Sequence, residues 1–191
     1  MRVKSVNVAT AHEVLINARL VMTAIGKRAQ PGPVAVRLLG LAGDEQADLT
    51  VHGGLAKAVY AYPAEHYPFW QTVRAQAGAA PWDAPLEPGA LGENLTVEGV
   101  LEDGLWIGDR LRLPGCVLAV SEPRFPCFKF NAVMGFNQAA KMMTANAWCG
   151  AYLAVRQPGV LQAGDAFELI PGPREVGITE LFRARVSRAP R

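Results

Sequence analysis

A β-rich domain of the mixed α+β class is the fold this sequence predicts, and three observations carry it. Short stretches of β-branched or alternating apolar residues recur along the chain, Gly and Pro clusters separate them, and only two stretches read as helices before the C-terminal tail. A doubly wound α/β sheet would need a helix between successive strands, so the expected architecture is a partly open or closed β-barrel with a few short helices.

The strands expected are Val3–Val8, Val34–Leu38, Ala58–Tyr62, Asn94–Val97, Arg110–Leu113, Cys116–Val120, Tyr152–Arg156 and Phe167–Ile170. Turns fall at Gln30–Pro33, at Glu87–Gly89 and at the Gly-Asp pairs beginning at 43, 108 and 164. The last two pairs open similar phrases, Gly-Asp-Arg-Leu-Arg-Leu and Gly-Asp-Ala-Phe-Glu-Leu, each a tight turn feeding a strand. Helices are expected over Ala64–Gln76, where Pro63 suits a first turn, and over Ala132–Met143. Residues 81–89 read as a loop. No composition shift divides the chain before about residue 172, so one domain is expected over 1–172. A short C-terminal extension over 173–191 carries one amphipathic stretch, Ile178–Val186.

Composition narrows the function. Half of the 191 residues are apolar and 19% are charged, which is the balance of a globular protein. The net charge of +2 does not point to nucleic acid, and the five arginines of 174–191 read as a solvated surface. Asn7, His12 and Glu13 interrupt any signal-like run, and the longest uncharged stretch, Met142–Val155, is shorter than the roughly 20 residues a membrane span needs. A cytoplasmic protein without a membrane segment is expected. Three cysteines cannot all pair, and such a chain keeps its thiols free.

Phosphate-loop, dinucleotide-binding, nucleophile-elbow, Cys-x-x-Cys and His-Glu-x-x-His signatures are absent, and His12, His52 and His66 lack the spacing of a structural zinc site. The unusual segment is Ser121–Phe130. Pro123 and Pro126 stiffen it, and Arg124 and Lys129 flank Cys127, so nearby cations favour its thiolate. A small buried hydrophobe between Phe125 and Phe128 is the competing reading of Cys127. Cys116, in an apolar stretch, reads as core; Cys149 reads as core or as a second thiol near the site.

A second segment, Gly40–Tyr60, reads as a binding loop. Asp44 and Asp48 lead to His52, and Gly53-Gly54 lets backbone amides approach a ligand. A turn histidine and a solvated Lys57 are the plain alternatives. Gly92-Glu93-Asn94 offers a third polar group.

Taken in order, Gly43-Asp-Glu-Gln-x-Asp48, His52-Gly-Gly-x-x-Lys-Ala-Val-Tyr60, Gly92-Glu-Asn-Leu95, Ile107-Gly-Asp109 and Pro123-Arg-x-Pro-Cys-x-Lys129 resemble the MOSC family, the molybdenum cofactor sulfurase C-terminal domains. The likeness runs to about Leu169 and points to the stand-alone YiiM-like branch. It implies a MOSC-type β-barrel that binds molybdenum cofactor (molybdopterin), with Cys127 as metal ligand. Reduction of N-hydroxylated bases follows as the expected activity, with electrons from a separate reductase. It further implies Arg124, Lys129, Lys57, Gly53, Gly54 and Asn94 as cofactor-binding residues and His52, Asp44 and Glu93 as proton-handling ones. Phe125 stands where relatives often have a small polar residue, and the 173–191 extension is short beside that of longer YiiM-like proteins. The alternative function is a sulfur carrier holding a persulfide on Cys127, loaded by a separate sulfur donor protein because no desulfurase module is present. Either activity takes a small-molecule or protein partner, and a homodimer is compatible with both.

Overall fold

The computed structural model describes residues 1–16, 18–47 and 53–188. Its largest sheet has eight strands. These are β1 (Arg2–Val8), β4 (Arg28–Ala29), β7 (Val59–Pro63), β8 (Leu95–Glu98), β9 (Arg110–Arg112), β10 (Val117–Pro123), β11 (Ala151–Gln157) and β13 (Glu168–Ile170), in the order β13-β9-β10-β11-β7-β8-β1-β4. Only β7–β8 is parallel. A hairpin of β2 (His12–Ile16) and β3 (Arg19–Thr23) forms its own two-stranded sheet, and β5 (Val34–Arg37), β6 (Gly40–Leu41) and β12 (Gly159–Leu161) form a third.

All eight expected strands lie in these sheets. The short β4, β6 and β12 and the β2–β3 hairpin were not anticipated. The two similar Gly-Asp phrases feed β9 and β13, which pair antiparallel with each other. Of the partly open or closed barrel expected, no closed ladder forms among the described residues: the strand order runs open, with β13 and β4 at its ends. The residues just before β13 meet β1, next to the far end, through a single bridge, Arg2 to Ala166, with backbone hydrogen bonds from Val3 to Asp165, from Gly164 to Val3 and from Phe167 to Met1.

Period-2 alternation explains how one sheet serves two cores. On β7, Val59 and Ala61 join Val3, Leu118 and Leu153 in the main core, while Tyr60 and Tyr62 face the second. On β11, Leu153 and Val155 face the main core and Tyr152 the other. The second core is closed by α1 (Tyr67–Gln76), α2 (Phe128–Met134) and α3 (Ala139–Asn146), which bury Trp70, Phe130, Met134 and Met143 completely. The main core takes Ile178 and Phe182 from α4 (Ile178–Arg188), the amphipathic stretch read in the tail. Cys116 and Cys149 are both core residues. Burial pushes the Cys116 thiol up to about 11 and raises Cys149 further.

The helix expected over 132–143 is two helices. Gly135 ends α2 in the left-handed conformation, with its N–H bonded back to Asn131 and Ala132, and α3 starts afresh at Ala139. The Ala64–Gln76 helix begins as a 3-10 turn, Ala64–His66, before α1. Among the described residues no helix is long and apolar enough to cross a membrane.

Glu93, expected to handle protons, is instead an interior anchor. It is fully buried and accepts hydrogen bonds from the Tyr67 hydroxyl, Thr96 Oγ1 (2.7 Å) and the amides of Gly89 (2.7 Å) and Leu91 (3.2 Å). Those donors tie the 81–92 loop and α1 to β8. Desolvation raises its pKa, although Tyr67, the Gly89 amide and Thr96 act to lower it.

Two stability predictions follow from these contacts. Gly150 precedes β11 with φ +61, and a Cβ there would stand 2.4 Å from Ala61 O and 2.8 Å from Tyr60 Cε2. Gly150→Ala should therefore lower the free energy of unfolding by about 3 kcal/mol, read as a fall in the urea midpoint. For Glu93, a raised native pKa means that the folded state holds more protons than the unfolded state above the ordinary carboxylate value of about 4.3. Its contribution is present below that pH and is lost as pH rises through the native pKa. Glu93→Gln, with one donor unsatisfied, should cost about 1–3 kcal/mol, and the difference from the native protein should shrink as pH rises. A difference constant between pH 4 and pH 8 would sink this assignment.

Candidate functional site

The chain leaves the sheet at Pro123, the last residue of the β10–β11 ladder, opposite Ala151. From there the stiff stretch 124–127 runs into α2. Cys127 is the residue before that helix, extended at φ −118 and ψ 174, and its carbonyl accepts the Phe130 amide at 2.9 Å. Its thiol is half-buried and opens on a cavity.

Arg124 turns inward, and only 4% of it is exposed. Its guanidinium lies 5.2 Å from the Tyr60 ring centre and 5.5 Å from that of Phe130, and it donates to the Tyr152 phenol. No carboxylate among the described residues pairs with it. Burial acts to lower its pKa, but Tyr60, Tyr152 and Cys127 raise it more, so the group stays cationic. Aromatic faces thus take the place of a counter-ion, and the cavity it lines is left with a desolvated positive charge.

The same cavity collects residues from distant parts of the chain. Lys57 reaches it from the 3-10 turn Leu55–Lys57, 4.0 Å from Glu122 Oε2 and 5.8 Å from the Tyr152 ring centre. Lys129 stands one residue into α2 and donates to the Met22 carbonyl of β3 at 2.7 Å, which ties the β2–β3 hairpin to the rim. Asn94 and Asp44 also line it.

Asp44, expected to handle protons, is held in an ion pair and two hydrogen bonds. Its carboxylate is ion-paired with Lys27 and accepts from the Ala9 amide (2.9 Å) and from Asn94 Nδ2 (2.8 Å). Asn94 Oδ1 in turn accepts the Tyr60 amide at 3.1 Å. Lys27, another cavity residue, escaped the sequence reading because a lone lysine after Gly26 carries no signal. Desolvation lowers its pKa, and Asp44 opposes that shift. Tyr60 and Tyr152 were missed too, although the tyrosines at 60 and 62, two residues apart in an apolar strand, could have marked its second buried face.

Glu93 does not line the cavity, and neither do Gly53 and Gly54. The Gly54 amide, expected to face an anion, donates to Gln46 Oε1 at 3.0 Å, and it is Gln46 that reaches the cavity. His52 and Asp48 lie outside the described residues. Among those described, no group of three or more His, Cys, Asp or Glu could hold a metal ion by itself.

The MOSC domain model matches residues 48–168. YflK of Bacillus subtilis, an uncharacterized protein, is 36% identical over 185 residues, covering 97% of this chain and 80% of its own. YiiM of Escherichia coli is 34% identical over 161 residues, covering 83% of this chain and 68% of its own. The crystal structure of YiiM from Geobacillus stearothermophilus superimposes with a TM-score of 0.75 at 29% identity, over 96% of this chain and 83% of that one. With more than half its length matched by the family model and its cysteine-bearing segment inside the matched region, the chain belongs to the MOSC domain family and is similar to YiiM.

Proposed function

We propose that this chain binds molybdenum cofactor in the cleft, with Cys127 as the protein ligand to the metal, and reduces N-hydroxylated bases or related N-hydroxylated compounds in the cytoplasm. The observation that carries the reading is the meeting of one half-buried thiol with a buried Arg124, unpaired with any carboxylate among the described residues, in a single cavity. The residues present fit the group. A metal already held by the dithiolene of its pterin needs only one further soft ligand, which a lone thiolate supplies without a cluster of protein ligands. The pterin phosphate needs cations, and Arg124, Lys57 and Lys129 ring the cavity.

When bound, the cofactor supplies the two-electron chemistry. Conversion of R–NHOH to R–NH2 breaks the N–O bond and consumes two electrons and two protons, releasing water. Electrons come from a separate reductase. For the protons, Lys27 suits better than Glu93: the residue lines the cavity, burial eases proton release, and Asp44 holds it in place. The Ala9 amide and Asn94 keep Asp44 turned toward Lys27.

Protein expressed in a cofactor-competent host should carry molybdenum and pterin fluorescence. Cys127→Ser should lose the metal and the resistance of cells to an N-hydroxylated base while keeping its thermal midpoint, because a hydroxyl ligates soft metals poorly at nearly equal volume. Metal-free protein carrying one extra sulfur that reductant removes would replace this reading with the sulfur carrier. Inorganic phosphate should bind the cofactor-free protein, and Arg124→Ala should weaken it about tenfold or more, measured by calorimetry. Unchanged phosphate affinity in that variant would remove Arg124 from the anion site.

A further inference from the structure

The stretch beyond the family match bears directly on the cleft. Phe182 of α4, fully buried, stacks on Phe125 with ring centres 5.1 Å apart and planes 13° from parallel. One turn on, Arg185 lies 5.8 Å from the centre of the same Phe125 ring, and its guanidinium is 3.7 Å from Glu122 Oε2. That carboxylate oxygen is the one that meets Lys57 at 4.0 Å. The segment is therefore gripped from two sides: Arg124 and Cys127 line the cavity, while Glu122 and Phe125 are held by α4.

We infer that Phe182 and Arg185 are positioning residues of the cleft, holding Phe125 and Glu122 so that Arg124, Cys127 and Lys57 stay turned into it. A buried guanidinium without a carboxylate gains from leaving for water, and an aromatic stack on the neighbouring residue opposes that rotation. The inference rests on the cleft being the functional site, not on what binds there.

The test uses the full chain and two readouts, alkylation of Cys127 by iodoacetamide followed by intact mass, and binding of inorganic phosphate. Cys116 and Cys149 are buried and serve as internal controls. Phe182→Leu, which keeps apolar volume but not the flat ring, and Arg185→Ala, at a half-exposed side chain, should each change the alkylation rate and weaken phosphate by about threefold or more. Arg183→Ala, at an exposed arginine on the same helix, should match the native protein in both readouts. If the thermal midpoint falls while alkylation and phosphate binding stay native, α4 is only core packing and the inference is overturned. If Phe182→Leu fails to fold, Arg185→Ala decides. Absence of phosphate binding in the native protein would count against the anion site alone, leaving the alkylation comparison to judge the positioning role.

Discussion

Burial of the Arg124 guanidinium is the constraint around which this molecule is arranged. A desolvated cation is costly, and the usual remedy is a carboxylate. Here the remedy is aromatic: Tyr60 from β7, Tyr152 from β11 and Phe130 from α2. Each comes from a different element, so sheet and helical layer must both be in place before the charge is accommodated. The arrangement also leaves the cation's interaction with an anion unspent, which is what a binding cleft requires and a structural ion pair would cancel.

Alternation along two strands makes this possible. β7 and β11 are buried on both faces, and the same period that sends Val59, Ala61 and Leu153 into the main core sends Tyr60 and Tyr152 toward the cleft. A one-residue slip in the β7–β11 register would exchange these sets, so the hydrophobic pattern that stabilises the sheet also places the site.

The carboxylates show how burial divides residues of one chemical kind. Glu93 is saturated by interior donors and holds a loop. Glu102 accepts the Gly150 amide at 2.8 Å and meets His66 at 2.9 Å, where the imidazole stacks on Trp148, and it too is architectural. Asp44 lies at the cleft, paired with Lys27. Glu122 stands at the rim between Lys57 and Arg185, joining the cleft to the C-terminal helix. None of these assignments follows from residue type.

What the sequence determined by itself was local or ordered along the chain. The strand periods and Gly-Pro punctuation are properties of neighbouring residues, and all eight expected strands formed. The stiff Pro123–Pro126 stretch marked Arg124 and Cys127, and motif order identified the family. Tertiary structure alone decided what depends on residues far apart meeting. It kept the sheet open apart from one bridge, because the chain before β13 pairs with β1 too briefly to close the ladder. It broke the second helix where Gly135 takes the left-handed conformation. It brought Lys27 to Asp44, turned Glu93 and the Gly54 amide away from the cleft, and set α4 against Phe125. Periodicity says which face a side chain takes, but which distant group it finds there is fixed only when the layers pack.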